Sequence, residues 1–213
     1  MFSFSPEMTS SHKLLVSRRR QLFVKEIYRQ FAHMLFGLVI AGFIYYVQFI
    51  NEAYATLTLI AVVFVGVLIA DAVDRGIKVP LFSFLIEKLE RKDTFPGKGT
   101  IYFFIATLFC LAFFGSTITI IAIVMLSVLD SATTIAGINF GRRKIFGKKT
   151  LEGTLCGIGA GFVIMLFFTG PLNAIILATA AGVTELVSPV DDNLTIPVVT
   201  GVLLWLLAGV MIL

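Results

Sequence analysis

Apolar residues in this chain fall in long, nearly uninterrupted runs separated by short polar breaks. The runs cover about 31–50, 53–70, 100–115, 116–138, 153–170, 173–187 and 194–213. Each is roughly the length that an α-helix needs to cross a hydrocarbon core of about 30 Å. None alternates polar and apolar residues as the strands of a membrane barrel would. Helices satisfy their own backbone in lipid, so the expectation is an all-α, polytopic membrane bundle of about seven transmembrane helices. The stretch 100–138 counts as two spans only if Gly115 and Ser116 turn the chain. One segment breaks the pattern. In "VPLFSFLIEKLERKD", Leu81, Phe82, Leu85, Ile86 and Leu89 recur at helical spacing opposite Glu87, Lys88, Arg91 and Lys92. This predicts an amphipathic helix lying in the interface. No internal repeat or soluble second domain interrupts the series, so 1–30 reads as an N-terminal segment, with residues 1–12 unstructured, and 31–213 as a single integral-membrane domain.

Composition agrees with this reading: 58% of the 213 residues are hydrophobic, and the mean hydropathy is +0.97. Charge adds orientation. Of the 17 Lys and Arg residues, six lie in 1–30, six in 71–99 and five in 139–152, and none lies in 51–52, 115–116 or 170–173. Seven spans therefore put every basic residue on one side, which the positive-inside rule makes cytoplasmic, with the C-terminus outside. A six-span arrangement would strand a basic segment on the wrong face. Of 13 acidic residues, only Glu52 falls outside. The net charge of +4 is thus explained by topology and calls for no nucleic-acid partner. The first 30 residues are too charged for a cleaved signal, so the first span is expected to remain as an anchor. Cys110 and Cys156 sit within apolar runs and read as small hydrophobes rather than a disulfide or metal pair.

Several polar groups have no explanation in lipid. Glu26, Arg29 and His33 in "KEIYRQFAHM" share one helical face that enters the membrane from the cytoplasmic side. Asp130, in "VMLSVLDSATTIAG", lies eight residues inside its span, roughly 12 Å deep, with Ser127, Ser131 and Thr134 on the same face. An intramembrane carboxylate is expensive, which makes function its default explanation. The connection "GINFGRRKIFGKKTLEGT" combines Arg142, Arg143, Lys144, Lys148 and Lys149 with Gly137, Gly141, Gly147 and Gly153. Such a loop suits polyphosphate, because glycines let backbone N–H groups approach and the cations neutralise charge. Any cytoplasmic connection is basic, however, and the placing of one carboxylate, Glu152, and two hydroxyls, Thr150 and Thr154, at the start of a helix is the more telling feature. In "DTFPGKGT", Gly97 and Gly99 flank Lys98 in a turn that is either an anion-binding nest or a plain helix start. Finally, "TELVSPVDDNLTIP" gathers Glu185, Asp191, Asp192 and Asn193 on the same side as the basic loop. Oxygen donors opposite cations suit Mg²⁺ bridging the phosphates of a nucleotide.

Taken in order, "EIYRQFAH", "LDSATTIAGINFGRR", "KKTLEGT" and "DDNLTIP" resemble the polyprenol kinase family, which includes dolichol kinase, phytol kinase and CTP-dependent diacylglycerol kinase. The resemblance covers roughly 26–197. It implies an enzyme of the cell membrane that transfers the γ-phosphoryl group of CTP to the hydroxyl of a lipid alcohol, with Mg²⁺ and a cytoplasmic active site. Its motifs fall here on Arg29, Asp130, Gly137, Gly141, Lys149, Thr150, Glu152, Gly153, Asp192 and Asn193. Gln30 stands where many relatives carry Lys. On this basis Arg29, Lys148 and Lys149 are expected to hold phosphate, with Arg142 and Lys98 as further cations. Asp192 and Glu185, with Asn193, are expected to hold metal, and Asp130 to serve as metal ligand or general base. Two alternatives remain at this stage: a phosphatidate cytidylyltransferase-like enzyme, and a small transporter using Asp130 and Glu185. A transporter needs access from both faces, whereas the polar groups here gather on one.

Overall fold

A computed structural model describes the backbone of residues 6–80, 95, 97–147 and 149–210, and the side chains of these from Phe23 to Ala208. The expected interfacial helix and Lys148 lie outside the described residues.

Six helices and one small hairpin make up the described chain: α1 Pro6–Gln48, α2 Glu52–Asp74, α3 Lys98–Phe140, β1 Lys144–Phe146, β2 Lys149–Thr150, α4 Leu151–Met165, α5 Pro171–Val187 and α6 Asp192–Val210. The all-α expectation holds. Three stretches, Phe23–Gln48, Glu52–Asp74 and Lys98–Phe140, are long and apolar enough to cross a membrane. The last three helices have 15, 17 and 19 residues, or about 22 to 28 Å at 1.5 Å per residue. Helix α1 begins at Pro6, so the N-terminal segment expected to be unstructured is helical from that point.

The end of α1 and the start of α2 are separated by a tight turn. Asn51 ends it by accepting a 2.9 Å hydrogen bond from the backbone N–H of Ala53, which satisfies one of the free donors at the new helix end. A second reversal occurs inside α3, where Gly115 takes φ 78 and ψ 176, a region essentially closed to side chains. Phe103 and Asp130 both lie against His33 of α1, with ring centroids 6.2 Å apart for the first and a 3.9 Å N···O separation for the second. On a straight helix, 27 residues would hold them about 40 Å apart. The chain therefore folds back at Gly115, as the sequence required for two spans in 100–138. Ser116 then donates a 2.7 Å hydrogen bond to the Glu52 carboxylate, tying this turn to the start of α2.

Helix α3 is the centre of the molecule, packed against α1, α4 and α6. Its second half is buried almost throughout, with Ile123, Met125, Leu126 and Leu129 closed to solvent. Small residues let α4 approach closely, as lipid-embedded helices commonly do. A Cβ on Gly153 would stand 2.8 Å from the carbonyl oxygen of Thr133, and one on Gly157 would stand 3.2 Å from that of Leu129. The outer face of α2, with Leu57, Phe64 and Leu68, is exposed. Both cysteines are free, Cys110 buried and Cys156 exposed.

Candidate functional site

Five segments meet at one end of the bundle: the 26–33 stretch of α1, the last turns of α3, the β-hairpin, the end of α5 and the start of α6. Lys149 is the hub. Its ammonium lies 2.9 Å from Glu185 Oε1 and 2.9 Å from Asp192 Oδ2, and it also donates to the backbone carbonyl of Glu185. Strand β2 aims the side chain inward, and Thr150 next to it caps α4 by accepting the Gly153 N–H at 3.2 Å. Burial disfavours a charged Lys149, but Asp192 and Glu185 more than offset it and hold its pKa above the ordinary value. Burial pushes the Asp192 carboxyl, at the first turn of α6 ahead of its apolar run, up to about 7 despite the pull of Lys149. One ammonium thus serves two carboxylates, and the pocket is short of positive charge.

The second half of the site lies deeper. Asp130 faces His33, and the charges of Lys149, Arg29 and Asp191 also act on it, so it belongs to the same cluster as the hub. Arg29 pairs with Glu26 one turn away, as their shared helical face predicted.

Three buried oxygens, Glu185 Oε2, Asp192 Oδ1 and Asn193 Oδ1, have no hydrogen-bond donor. They belong to the residues expected to hold metal. Lys149 takes the other carboxylate oxygen of each acid, so the free set is two carboxylates and one amide oxygen. An oxygen-seeking divalent cation that keeps some of its water fits that set. Among the described residues, no group of three or more His, Cys, Asp and Glu side chains could hold a metal ion, so the remaining ligands would have to come from substrate and water.

The other expected residues divide. Glu152 does not face the hub: its carboxylate accepts the backbone N–H groups of Arg142 and Arg143 at 3.0 and 3.2 Å, and backbone N–H groups, that of Arg142 foremost, then its own and that of Arg143, hold its pKa below the usual range. It shapes the loop. Thr150 is used as a cap. Two of the loop glycines pack against it: a Cβ on Gly137 would stand 3.2 Å from Thr150 Oγ1, and one on Gly141 would stand 2.7 Å from its methyl carbon. Of the two glycines beside Lys98, Gly97 has a positive φ of 75 and precedes α3 without a side-chain cap. A Cβ on Gly99 would stand 3.1 Å from the Asn193 amide nitrogen, which brings the start of α3 to the acidic turn. The Lys98 ammonium lies 5.4 Å from the centroid of the Tyr102 ring. Arg142 is exposed. The wet crevice expected around Ser127, Ser131 and Thr134 is not formed by the two serines, which are buried and donate to the carbonyls of Ile123 and Gln30 at 2.8 and 3.2 Å.

No protein-family model matches the chain, and no solved structure does. A search of curated proteins finds the uncharacterized protein MJ1137 of Methanocaldococcus jannaschii, 34% identical over 182 residues that cover 82% of this chain and 90% of that protein. The chain belongs to the family of MJ1137.

One buried hydroxyl had no signal in the sequence, that of Thr133; it is without a partner, as are the Thr154 hydroxyl and the Gln30 side-chain oxygen. A hydroxyl in an apolar run is indistinguishable, by pattern alone, from one that bonds the preceding turn as Thr107 does to Phe103 at 2.8 Å. Asp191 was visible only as part of an acidic turn, whereas it orders Asn193 by accepting from its backbone and side-chain N–H groups at 3.2 and 2.9 Å.

Proposed function

We propose that this chain is a lipid-alcohol kinase that transfers the γ-phosphoryl group of CTP to a membrane-embedded hydroxyl. The observation that carries this reading is the juxtaposition of an intramembrane carboxylate, Asp130, with the Lys149 hub and its three unpaired acceptor oxygens. The resemblance of the motifs to polyprenol kinases supplies the donor and the acceptor class. With the chain reversed at Gly115, the six helices make seven crossings of a cell membrane. The basic segments and the site then face the cytoplasm, where CTP is found.

Phosphoryl transfer is mostly positioning and charge stabilisation. Lys149 and Arg29 neutralise the phosphates. Bound at Glu185, Asp192 and Asn193, Mg²⁺ would supply further neutralisation of phosphate charge. Asp130 accepts the hydroxyl proton as the alcohol oxygen bonds to the γ-phosphorus. The bond from that phosphorus to the bridging oxygen breaks, and CDP leaves. The depth of Asp130 lets a lipid present its hydroxyl with its tail still in the bilayer.

The test is product identity. Purified protein given CTP labelled in the γ-phosphate, Mg²⁺ and a panel of lipid alcohols is expected to yield CDP and a labelled lipid phosphate. Pyrophosphate with a CDP-lipid would mark a cytidylyltransferase instead. No CTP turnover with any lipid would overturn the enzyme reading.

A further inference from the structure

His33 is the polar group that this scheme leaves without a task. Its Nε2 atom is buried and has no hydrogen-bond partner, and it stands 3.9 Å from Asp130 Oδ2. That separation is too long for a direct hydrogen bond. It is the right width for one oxygen atom set about 2.8 Å from each, an ordinary distance for both bonds. Phe103 packs beside the imidazole, its ring at 79° to it with centroids 6.2 Å apart. Phe36, three residues deeper on the same helix, packs on Phe103 at 5.5 Å between centroids and is 37% exposed. The space between the two polar atoms thus lies beside a row of aromatic rings that ends at the partly exposed Phe36.

We propose that His33 and Asp130 together form the binding site for the acceptor hydroxyl, His33 donating through Nε2–H to the oxygen while Asp130 accepts its proton. The proposal rests on the kinase reading and adds the acceptor subsite to it. The hydroxyl suits this space because it is donor and acceptor at once, matching a carboxylate on one side and an N–H on the other. The tail leaves over Phe36. Negative charge builds on the oxygen as its proton departs, and the imidazole N–H stabilises it there. The aromatic rings beside His33 would favour a lipid hydroxyl over a stray water, because they hold an alkyl chain next to it.

Two variants separate this role from packing. Glutamine carries an N–H donor at nearly the reach of imidazole Nε2, whereas leucine fills the space without a donor. The His33→Gln protein should keep lipid phosphorylation within about tenfold of wild type. His33→Leu should lose at least about a hundredfold in kcat/KM for the alcohol, the scale of one lost donor to a developing oxyanion, with the KM for CTP unchanged. If the leucine variant is not recovered folded, His33→Asn replaces it, an amide one methylene too short. A readout independent of turnover uses no nucleotide or metal: geranylgeraniol in detergent should raise the melting temperature of wild type and His33→Gln. Its methyl ether, which has no proton for Asp130, should raise neither, and His33→Leu should respond to neither. Equal kcat/KM in the leucine variant, or equal stabilisation by alcohol and ether, would overturn the acceptor site and leave the kinase reading standing. Failure of wild type itself to phosphorylate any alcohol would remove both.

Discussion

Single substitutions at Asp130 and Lys149 should fail differently. Asn in place of Asp130 keeps the shape and is cheaper to bury than a carboxylate. The Asp130→Asn protein is therefore expected to insert normally and to melt no lower than wild type. Its turnover should fall by at least about a hundredfold, the lower range for a lost base. A stable variant with more than roughly a tenth of wild-type turnover would exclude the catalytic role. Lys149→Gln instead leaves Glu185 and Asp192 facing each other without the ammonium that sits 2.9 Å from each. Breaking a partly buried pair from one side costs a few kcal/mol. That variant should lose thermal stability along with activity, and Mg²⁺ should restore part of the stability by replacing the missing charge; a melting temperature that ignores Mg²⁺ would argue against a cation site at the free oxygens. Asp191 and Glu152 act at the same scale, but as supports for the acidic turn and the basic loop.

At the scale of elements, the site depends on how helices begin and bend. Thr150 caps α4 and at the same time fills the space against Gly137 and Gly141. Thr150→Ala should cost about 1 kcal/mol for the lost cap, read as a lower melting temperature. Lys149 should lose its aim as well, so activity should fall further than stability. The reversal in α3 is more demanding. At φ 78 and ψ 176, a side chain on Gly115 costs of order 1–3 kcal/mol, and Gly115→Ala should reduce the yield of folded protein. Normal yield and stability in that variant would mean that the fold-back does not need the glycine. This turn is far from the chemistry in sequence, yet it is what sets Phe103 beside Asp130 across His33.

For the molecule as a whole, every role proposed above requires the five converging segments to face one aqueous compartment. Single cysteines at Lys144 and Ser188 should react with an impermeant reagent from the cytoplasmic side alone, and one at Asn51 from the outside alone. Labelling of Lys144 from the outside would reverse the orientation and separate the site from its nucleotide.

The sequence by itself determined the helical, strongly apolar character of the chain and the starts and stops of some helices, though not the start of α1 at Pro6 or the end of α4 at Met165, because run length, breaks and cap residues are local properties. The predicted run 53–70 lies within Glu52–Asp74, and 173–187 within Pro171–Val187, for that reason. It also marked Asp130, Lys149, Glu185 and Asp192 as chemically conspicuous, since charge in an apolar setting is visible without a fold. What it could not decide was partnership. Lys149 meets carboxylates 36 and 43 residues away, and His33 meets Asp130 across nearly half the chain; such pairs are chosen by which helix faces pack together, not by spacing. The same packing made Thr150 a cap, set Glu152 to brace the backbone of the basic loop, and placed Gly137 and Gly141 against Thr150. Whether a hydroxyl or amide binds ligand or merely satisfies its neighbours depends on the donors left over after packing, and only the tertiary structure decided that.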